Sequence, residues 1–424
     1  MERLIGVFGI LAILGIAYLL SNNKSKIDYK LIFWGLSLQL FFAILILKVP
    51  GGKIVFDVID SIIKKILDFS VEGSKFLFGN LGNQSMFGPW EPNFPNDGTW
   101  PGFGFQFAFL VLPTVIFFSS LMSVLYHIGV MQKVVKFVTK IMQKTMGTSG
   151  AETSSISANI FVGQTEAPLV IKPFISKMTK SELTAIMTGG FATVAGGVMA
   201  AYVLMLSNVI PGIAGHLMAA SIMSAPAALV IAKIIYPETS IPETSKNNIE
   251  LSEVSDEGNF LEALGNGASE GMKLALNIAA MLIAFLSVIA LLNWLLSLIP
   301  FGNTILTIEL ILGYCFMPLA FLMGAPWSEA HILGSLMGQK LVLTEFIAYG
   351  NLAAVSNEIS VRTATIGAYA LCGFANFASI GIQLGGIGAI APDRKKDLAE
   401  TVTKAMLGGA LASWITACIA GILI

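Results

Sequence analysis

Asn159-Ile160-Phe161-Val162-Gly163-Gln164-Thr165-Glu166-Ala167-Pro168 sets an amide, a hydroxyl and a carboxylate at the middle of an apolar stretch. The stretch, between Glu152 and Lys180, is too short to cross a bilayer twice. Each apolar piece flanking the polar centre is about a dozen residues, roughly half a bilayer at 1.5 Å per helical residue. A second segment of the same kind lies between Glu329 and Glu358, its two pieces meeting at Thr344-Glu345-Phe346. Both segments, 149–178 and 328–358, read as re-entrant hairpins with tips near the midplane. Broken backbone at that depth is tolerated only where it is buried in protein or lines a cavity.

The composition around these segments is that of a membrane protein. Of 424 residues, 55% are hydrophobic and 12% charged, against about 25% charged in a soluble domain. With a mean hydropathy of +0.78, neither a soluble globular enzyme nor a disordered chain fits. Its 25 basic and 26 acidic residues nearly cancel, so no nucleic-acid surface is implied. Uncharged runs at 4–21, 31–47, 103–131, 183–206, 212–232, 274–299, 363–390 and 405–424 predict eight transmembrane helices. The expected fold class is an all-α polytopic membrane protein. Residues 53–68 and 131–146 repeat lysines against an apolar face, as interfacial helices do. Residues 79–102 read as an irregular external loop. Cys315, Cys372 and Cys418 lie in apolar runs without paired spacing, so buried thiols are expected.

Lysine and arginine set the orientation. Lys24, Lys26 and Lys30 follow the first span, Lys133, Lys136, Lys140 and Lys144 the third, and Arg394, Lys395 and Lys396 the seventh. All fall on one side of an eight-span chain, which makes that side cytoplasmic and puts both termini outside. The hairpins then enter from opposite faces, as in an inverted repeat. Two short matches agree with this. Thr-Glu occurs only at 165–166 and 344–345, and Gly-Phe-Ala only at 190–192 and 373–375, in the same order. The domain reading is therefore 1–130 for the first three spans, interfacial helix and loop, and 131–235 for a first repeat unit. An acidic cytoplasmic loop at 236–271, span six at 272–300 and a second repeat unit at 301–424 complete it.

An ionisable residue at membrane depth is expensive, which singles out Glu166 and Glu345, one at each tip. The bland alternative is that each caps a helix or pairs with Lys340. Gln164 and Thr165 add donors and acceptors at the first tip, and Asn376 and Ser379 do so in the second broken span. None of the arginines (Arg3, Arg362, Arg394) lies at a tip, so a phosphate or dicarboxylate lacks a cationic partner. A neutral substrate bearing hydroxyls and an amide-like edge fits better. Asn159, Thr165 and Thr193 offer hard oxygens beside a Gly-rich break at 192–197, which suits Na⁺, or else a polar contact between closely packed helices. No HExxH or GxGD motif suggests an intramembrane enzyme. The tips carry substrate-like hydrogen-bonding groups, which favours a carrier over a channel.

The run 159–168, with Gly324-Ala325-Pro326-Trp327, Glu345-Phe346 and Gly373-Phe374-Ala375-Asn376, resembles the concentrative nucleoside transporters over essentially the whole chain. The resemblance implies a cation symporter that imports nucleosides across the cytoplasmic (inner) membrane, with uridine, cytidine or adenosine-like substrates and no enzymatic activity. It implies that Gln164, Thr165, Glu166 and Val198 face the nucleobase, that Glu345, Asn376 and Ser379 face the ribose, and that Phe374 lies alongside. It further implies a Na⁺ site at Asn159, Val162, Thr193 and Val194, with proton coupling as the alternative. The implied assembly is a homotrimer in the bilayer. Spans one, two, three and six would form its scaffold, and a transport domain holding both hairpins would move like an elevator.

Overall fold

The computed structural model describes residues 2–82, 106–245, 258–299 and 305–424. Among these the chain is helical throughout: α1 Glu2–Leu20, α2 Tyr29–Leu47, α3 Pro50–Phe78, α4 Phe107–His127, α5 Val130–Met146, α6 Gly150–Asn159, α7 Lys180–Ala192, α8 Gly196–Leu206 and α9 Ile213–Ile235. The second half adds α10 Phe260–Ser297, α11 Ile308–Leu322, α12 Trp327–Val342, α13 Glu345–Ala354, α14 Val361–Leu371, α15 Phe377–Ile390 and α16 Lys395–Leu423. Helices stand at all the positions read as spans; two of those positions, 183–206 and 363–390, are each split in two.

Start and stop signals in the sequence account for these boundaries. Asp28 caps α2 by accepting from the amides of Lys30 and Leu31. Ser149 with Glu152, and Thr179 with Glu182, form capping boxes that open α6 and α7. Gly129, at φ 77°, separates α4 from α5, so the third span ends at His127 and not at 131. The second arm of the first hairpin is a 3-10 run, Ala167–Lys177, kinked at Ile171. Pro173 removes an amide donor inside this run, and the residue two before it, Ile171, leaves helical geometry.

Three further readings need correction. Helix α10 begins at Phe260, capped by Asn259, so residues 260–271 of the acidic loop are helical. The helix α11 was not foreseen. It is apolar but only 15 residues long and is bent by 118° from α12. Cys315 on α11 is exposed, while Cys372 and Cys418 are buried as expected. Only one face of α11 packs on α12, so an apolar residue on its other face is not enclosed. The loop at 83–102 and residues 246–257 lie outside the described residues.

Packing centres on α7, α9, α14 and α16, with α1 and α2 laid against α16 and α9. In the apolar window of α9, 89% of residues are buried, against 17% in α10. Helix α10 is therefore peripheral, packed along α4, with an apolar face turned outward. The glycines of α12 allow close approach: a Cβ at Gly334 would stand 2.7 Å from the Gly313 carbonyl oxygen, and one at Gly338 2.5 Å from Leu312 Cβ.

Helix ends sort into two groups through their hydrogen bonds. On one side the Asn22 amide donates to Ile235, Lys404 Nζ to the Leu20 carbonyl, the Gly150 amide to Thr244, and Arg394 to the carbonyls of Ser176 and Met178. Lys180 pairs there with Asp397 and Glu400. On the other, Arg362 donates to the carbonyls of Gly324 and Gly421, and Asp60 accepts from the Ala214 amide. The first group holds the ends read as cytoplasmic, the second the ends read as outer.

Candidate functional site

The site assembles where both split helices break. Helix α7 stops at Ala192 and α8 resumes at Gly196; α14 stops at Leu371 and α15 resumes at Phe377. These breaks touch. Gly373 has φ 102°, and a Cβ there would stand 2.5 Å from the Phe191 carbonyl oxygen and 2.8 Å from that of Ala192. Glycine answers both demands at once, the left-handed backbone and the close approach.

Glu345 opens α13, whose N-cap is Thr344. Its side chain is buried, and both carboxylate oxygens are engaged. Tyr202 Oη donates to Oε1 at 2.9 Å, and Asn376 Nδ2 donates to Oε2 at 2.8 Å. Asn376 in turn caps α15, its Oδ1 accepting from the Ser379 amide at 2.8 Å. Glu345, Asn376 and Ser379, which the sequence reading grouped, are thus one hydrogen-bonded cluster. A carboxylate has about four acceptor positions, so the cluster can still accept from the hydroxyls of a ligand. Lys340 does not pair with Glu345; its Nζ donates to Ala370, Cys372 and Ser413. Phe374 is half-buried in the break.

The first tip is built differently. Gln164 is buried, and its Oε1 accepts from Gln383 Nε2 at 3.0 Å. Gln383 also donates to the Met187 carbonyl at 3.2 Å. This leaves the Gln164 amide nitrogen to donate elsewhere. Thr165 is exposed and borders Gly386 of α15, where a Cβ would lie 3.1 Å from Thr165 Cγ2. Glu166 is exposed and folds back on its own tip, Oε2 accepting from the Gly163 amide at 2.8 Å. Val198 is buried on the first turn of α8.

Asn159 ends α6 and is 1% exposed, yet neither Oδ1 nor Nδ2 has a hydrogen-bond partner. A buried amide left wholly unpaired is costly and calls for a ligand. The carbonyls of Val162 and Val194 accept no backbone hydrogen bond among the described residues. The Thr193 hydroxyl donates to Gly189 at 3.0 Å, which leaves its lone pairs available. These are neutral hard oxygens, the donor set a small monovalent cation takes.

The reading missed Tyr202 and Gln383. Tyr202 is one helical turn beyond Val198, and Gln383 one turn beyond Ser379, so both share a face with residues already chosen. Their polarity within uncharged runs was the available signal.

Three family models cover most of the chain: "Na+ dependent nucleoside transporter N-terminus" at residues 8–81, "Nucleoside recognition" at 108–209, and "Na+ dependent nucleoside transporter C-terminus" at 216–421. An uncharacterized transporter of Bacillus subtilis is 44% identical, with all of both chains covered.

The chain belongs to the concentrative nucleoside transporter family.

Mouse solute carrier family 28 member 3 is 39% identical over the whole of this chain, which spans 59% of that protein. The structure of CNTnw in an inward-facing, substrate-bound state is 40% identical with a TM-score of 0.90, covering 100% of this chain and 98% of that one. A CNTnw variant in an outward-facing state superposes with a TM-score of 0.91. The family is one of membrane transporters and not of enzymes.

Proposed function

We propose that this protein imports nucleosides across the cytoplasmic membrane by Na⁺ symport, through elevator-type alternating access. The observation that carries the reading is the buried Glu345–Asn376–Tyr202 cluster at the contact of two broken helices. A carboxylate held by two neutral donors and offering lone pairs suits the paired hydroxyls of a ribose. Gln164, Thr165, Glu166 and Val198 are assigned to the nucleobase, Glu345, Asn376 and Ser379 to the ribose, with Phe374 beside the bound nucleoside.

Na⁺ is assigned to Asn159, the Val162 and Val194 carbonyls, and Thr193. The unpaired Asn159 amide supports this, since an ion there would relieve its isolation. Ordering of the tip by Na⁺ would raise nucleoside affinity, and linkage makes the effect reciprocal.

The sorting of helix ends supports eight crossings with both termini outside and hairpins 149–178 and 328–358 inserted from opposite faces. Residues 1–130 and 272–300 then form the scaffold. Residues 131–235 and 301–424 form the moving domain, and the cytoplasmic segment 236–271 connects the first of these to span six. The outward apolar face of α10 suits the interface of a homotrimer. The inward- and outward-facing states of CNTnw fit an elevator.

The test is calorimetric binding of uridine to purified protein in Na⁺ and in choline at equal ionic strength. Tighter binding in Na⁺ is expected. Equal affinities, with uptake driven by a pH gradient alone, would replace sodium by protons.

A further inference from the structure

Lys340 is fully buried on α12, five residues before Glu345. Its Nζ lies 3.0 Å from the Ala370 carbonyl oxygen, 2.8 Å from that of Cys372 and 3.1 Å from Ser413 Oγ. None of the ion pairs among the described residues includes it. The Glu345 carboxylate accepts instead from Tyr202 and Asn376.

The contacts themselves define the charge state. The two carbonyls can only accept. Ser413 directs its single hydroxyl proton to Cys372 or Gly409, at 2.6 and 3.0 Å, so its oxygen accepts from Lys340. Three acceptors around one nitrogen require three N–H bonds, which only the ammonium has. A unit positive charge is therefore housed among neutral oxygens.

The location of that charge is informative. Ala370 and Cys372 flank the end of α14 at Leu371, so their carbonyls belong to the set a helix C-terminus leaves without intrahelical partners. Such an end carries partial negative charge and draws a cation. The first repeat has the corresponding parts. Helix α7 ends at Ala192 and α6, the first arm of its hairpin, presents the unpaired Asn159. In each repeat the first hairpin arm packs on the first half of the broken helix, α6 on α7 and α12 on α14. One arm ends in an orphaned amide; the other supplies an ammonium.

We propose that the Lys340 ammonium is a tethered cation, occupying in the second repeat the place that a mobile cation takes in the first. The second break is then permanently neutralised, and only the first exchanges an ion with solution. The comparison between repeats rests on the sodium reading of the first break. The need of the second break for a cation rests on the Lys340 contacts alone.

Two measurements on the full-length protein test this separately. In wild-type proteoliposomes, the reversal potential of uridine uptake is expected to give one Na⁺ per uridine. A ratio of two overturns the proposal, while a ratio of zero defeats sodium coupling and leaves the second measurement to decide on Lys340. That measurement is the Tm of detergent-solubilised wild type, Lys340→Ala and Lys340→Met. Each is examined in choline, Na⁺ and methylammonium chloride at fixed ionic strength. Both variants are expected to melt lower by about 5 °C or more in choline. Lys340→Ala should recover saturably with methylammonium or Na⁺, and Lys340→Met, whose side chain fills the space, should not. A Lys340→Met protein as stable as wild type, or a Lys340→Ala protein that no small cation restores, overturns the proposal.

Discussion

Tyr202 on α8 donates its phenolic hydroxyl to Glu345 on α13 at 2.9 Å, joining residues 143 positions apart, one from each half of the chain. The same ring lies 4.8 Å from Phe346 and 4.3 Å from Tyr349, centroid to centroid. The ring packs and the hydroxyl orients, so the two roles can be separated. Tyr202→Phe keeps the packing and frees one carboxylate oxygen from its donor. A hydrogen bond to a charged group contributes about 1.5–3 kcal/mol to stability, so Tm should fall, and the KM for uridine should rise because the carboxylate is no longer held in place. Uptake kinetics and a melting curve on the same preparation check this.

Glu345→Gln and Glu166→Gln should each abolish uptake while leaving folded protein. At 345 the amide cannot accept on both sides, and Asn376 loses its charged partner. At 166 the bond to the Gly163 amide weakens and the tip loses its one charge. Normal uptake by either variant, measured with labelled uridine, removes that residue from the site.

Asn159→Leu should behave oppositely in stability and function. Removing an unpaired buried amide is neutral or stabilising by about 1 kcal/mol in choline. The rise of Tm with added Na⁺ expected of the wild type should disappear. A sodium-dependent Tm that survives in the variant would place the ion elsewhere.

Gly373→Ala should lower stability by about 2–3 kcal/mol, since it combines a positive φ with a Cβ placed 2.5 Å from the Phe191 carbonyl oxygen. Thermal unfolding measures it. Gly381, whose Cβ would meet nothing within 4 Å, is the matched control for the same substitution.

Lys233, 6% exposed, pairs with Glu152 at 2.7 Å beside Glu182, both 1% exposed, at the base of the first hairpin. Lys233→Met strips the cation from buried Glu152 and from Glu238, and should cost about 3–5 kcal/mol. Adding Glu152→Gln should restore part of the loss, read from the midpoints of the single and double variants.

Much of this architecture was legible because hydropathy and helix signals are local. The uncharged runs, the breaks at 192–197 and 372–376 and the polar tips all sit in short windows of sequence. What escaped is non-local. The sharp bend between α11 and α12 has a local signal, Gly324 at φ 98° followed by Pro326, but the packing of Gly313 on Gly334 and His331 across the turn does not. Tyr202 and Gln383 are partners of tip residues 143 and 219 positions away, and no window holds both members. That Glu152, Glu182 and Lys233 form a buried charged cluster was likewise out of reach, since burial of an ion pair depends on neighbours that only the folded chain supplies. The capping boxes Ser149–Glu152 and Thr179–Glu182 were readable but speak of helix starts, not of burial.

The contact of Gly373 with the Phe191 carbonyl makes one block of the two breaks. In the proposed elevator movement, whatever binds there keeps the same neighbours whichever compartment the block faces. The preference among nucleosides is then set once and not remade at each side of the membrane. Proteoliposomes loaded with competing nucleosides should release them, when the sodium gradient is reversed, in the same rank order in which they take them up.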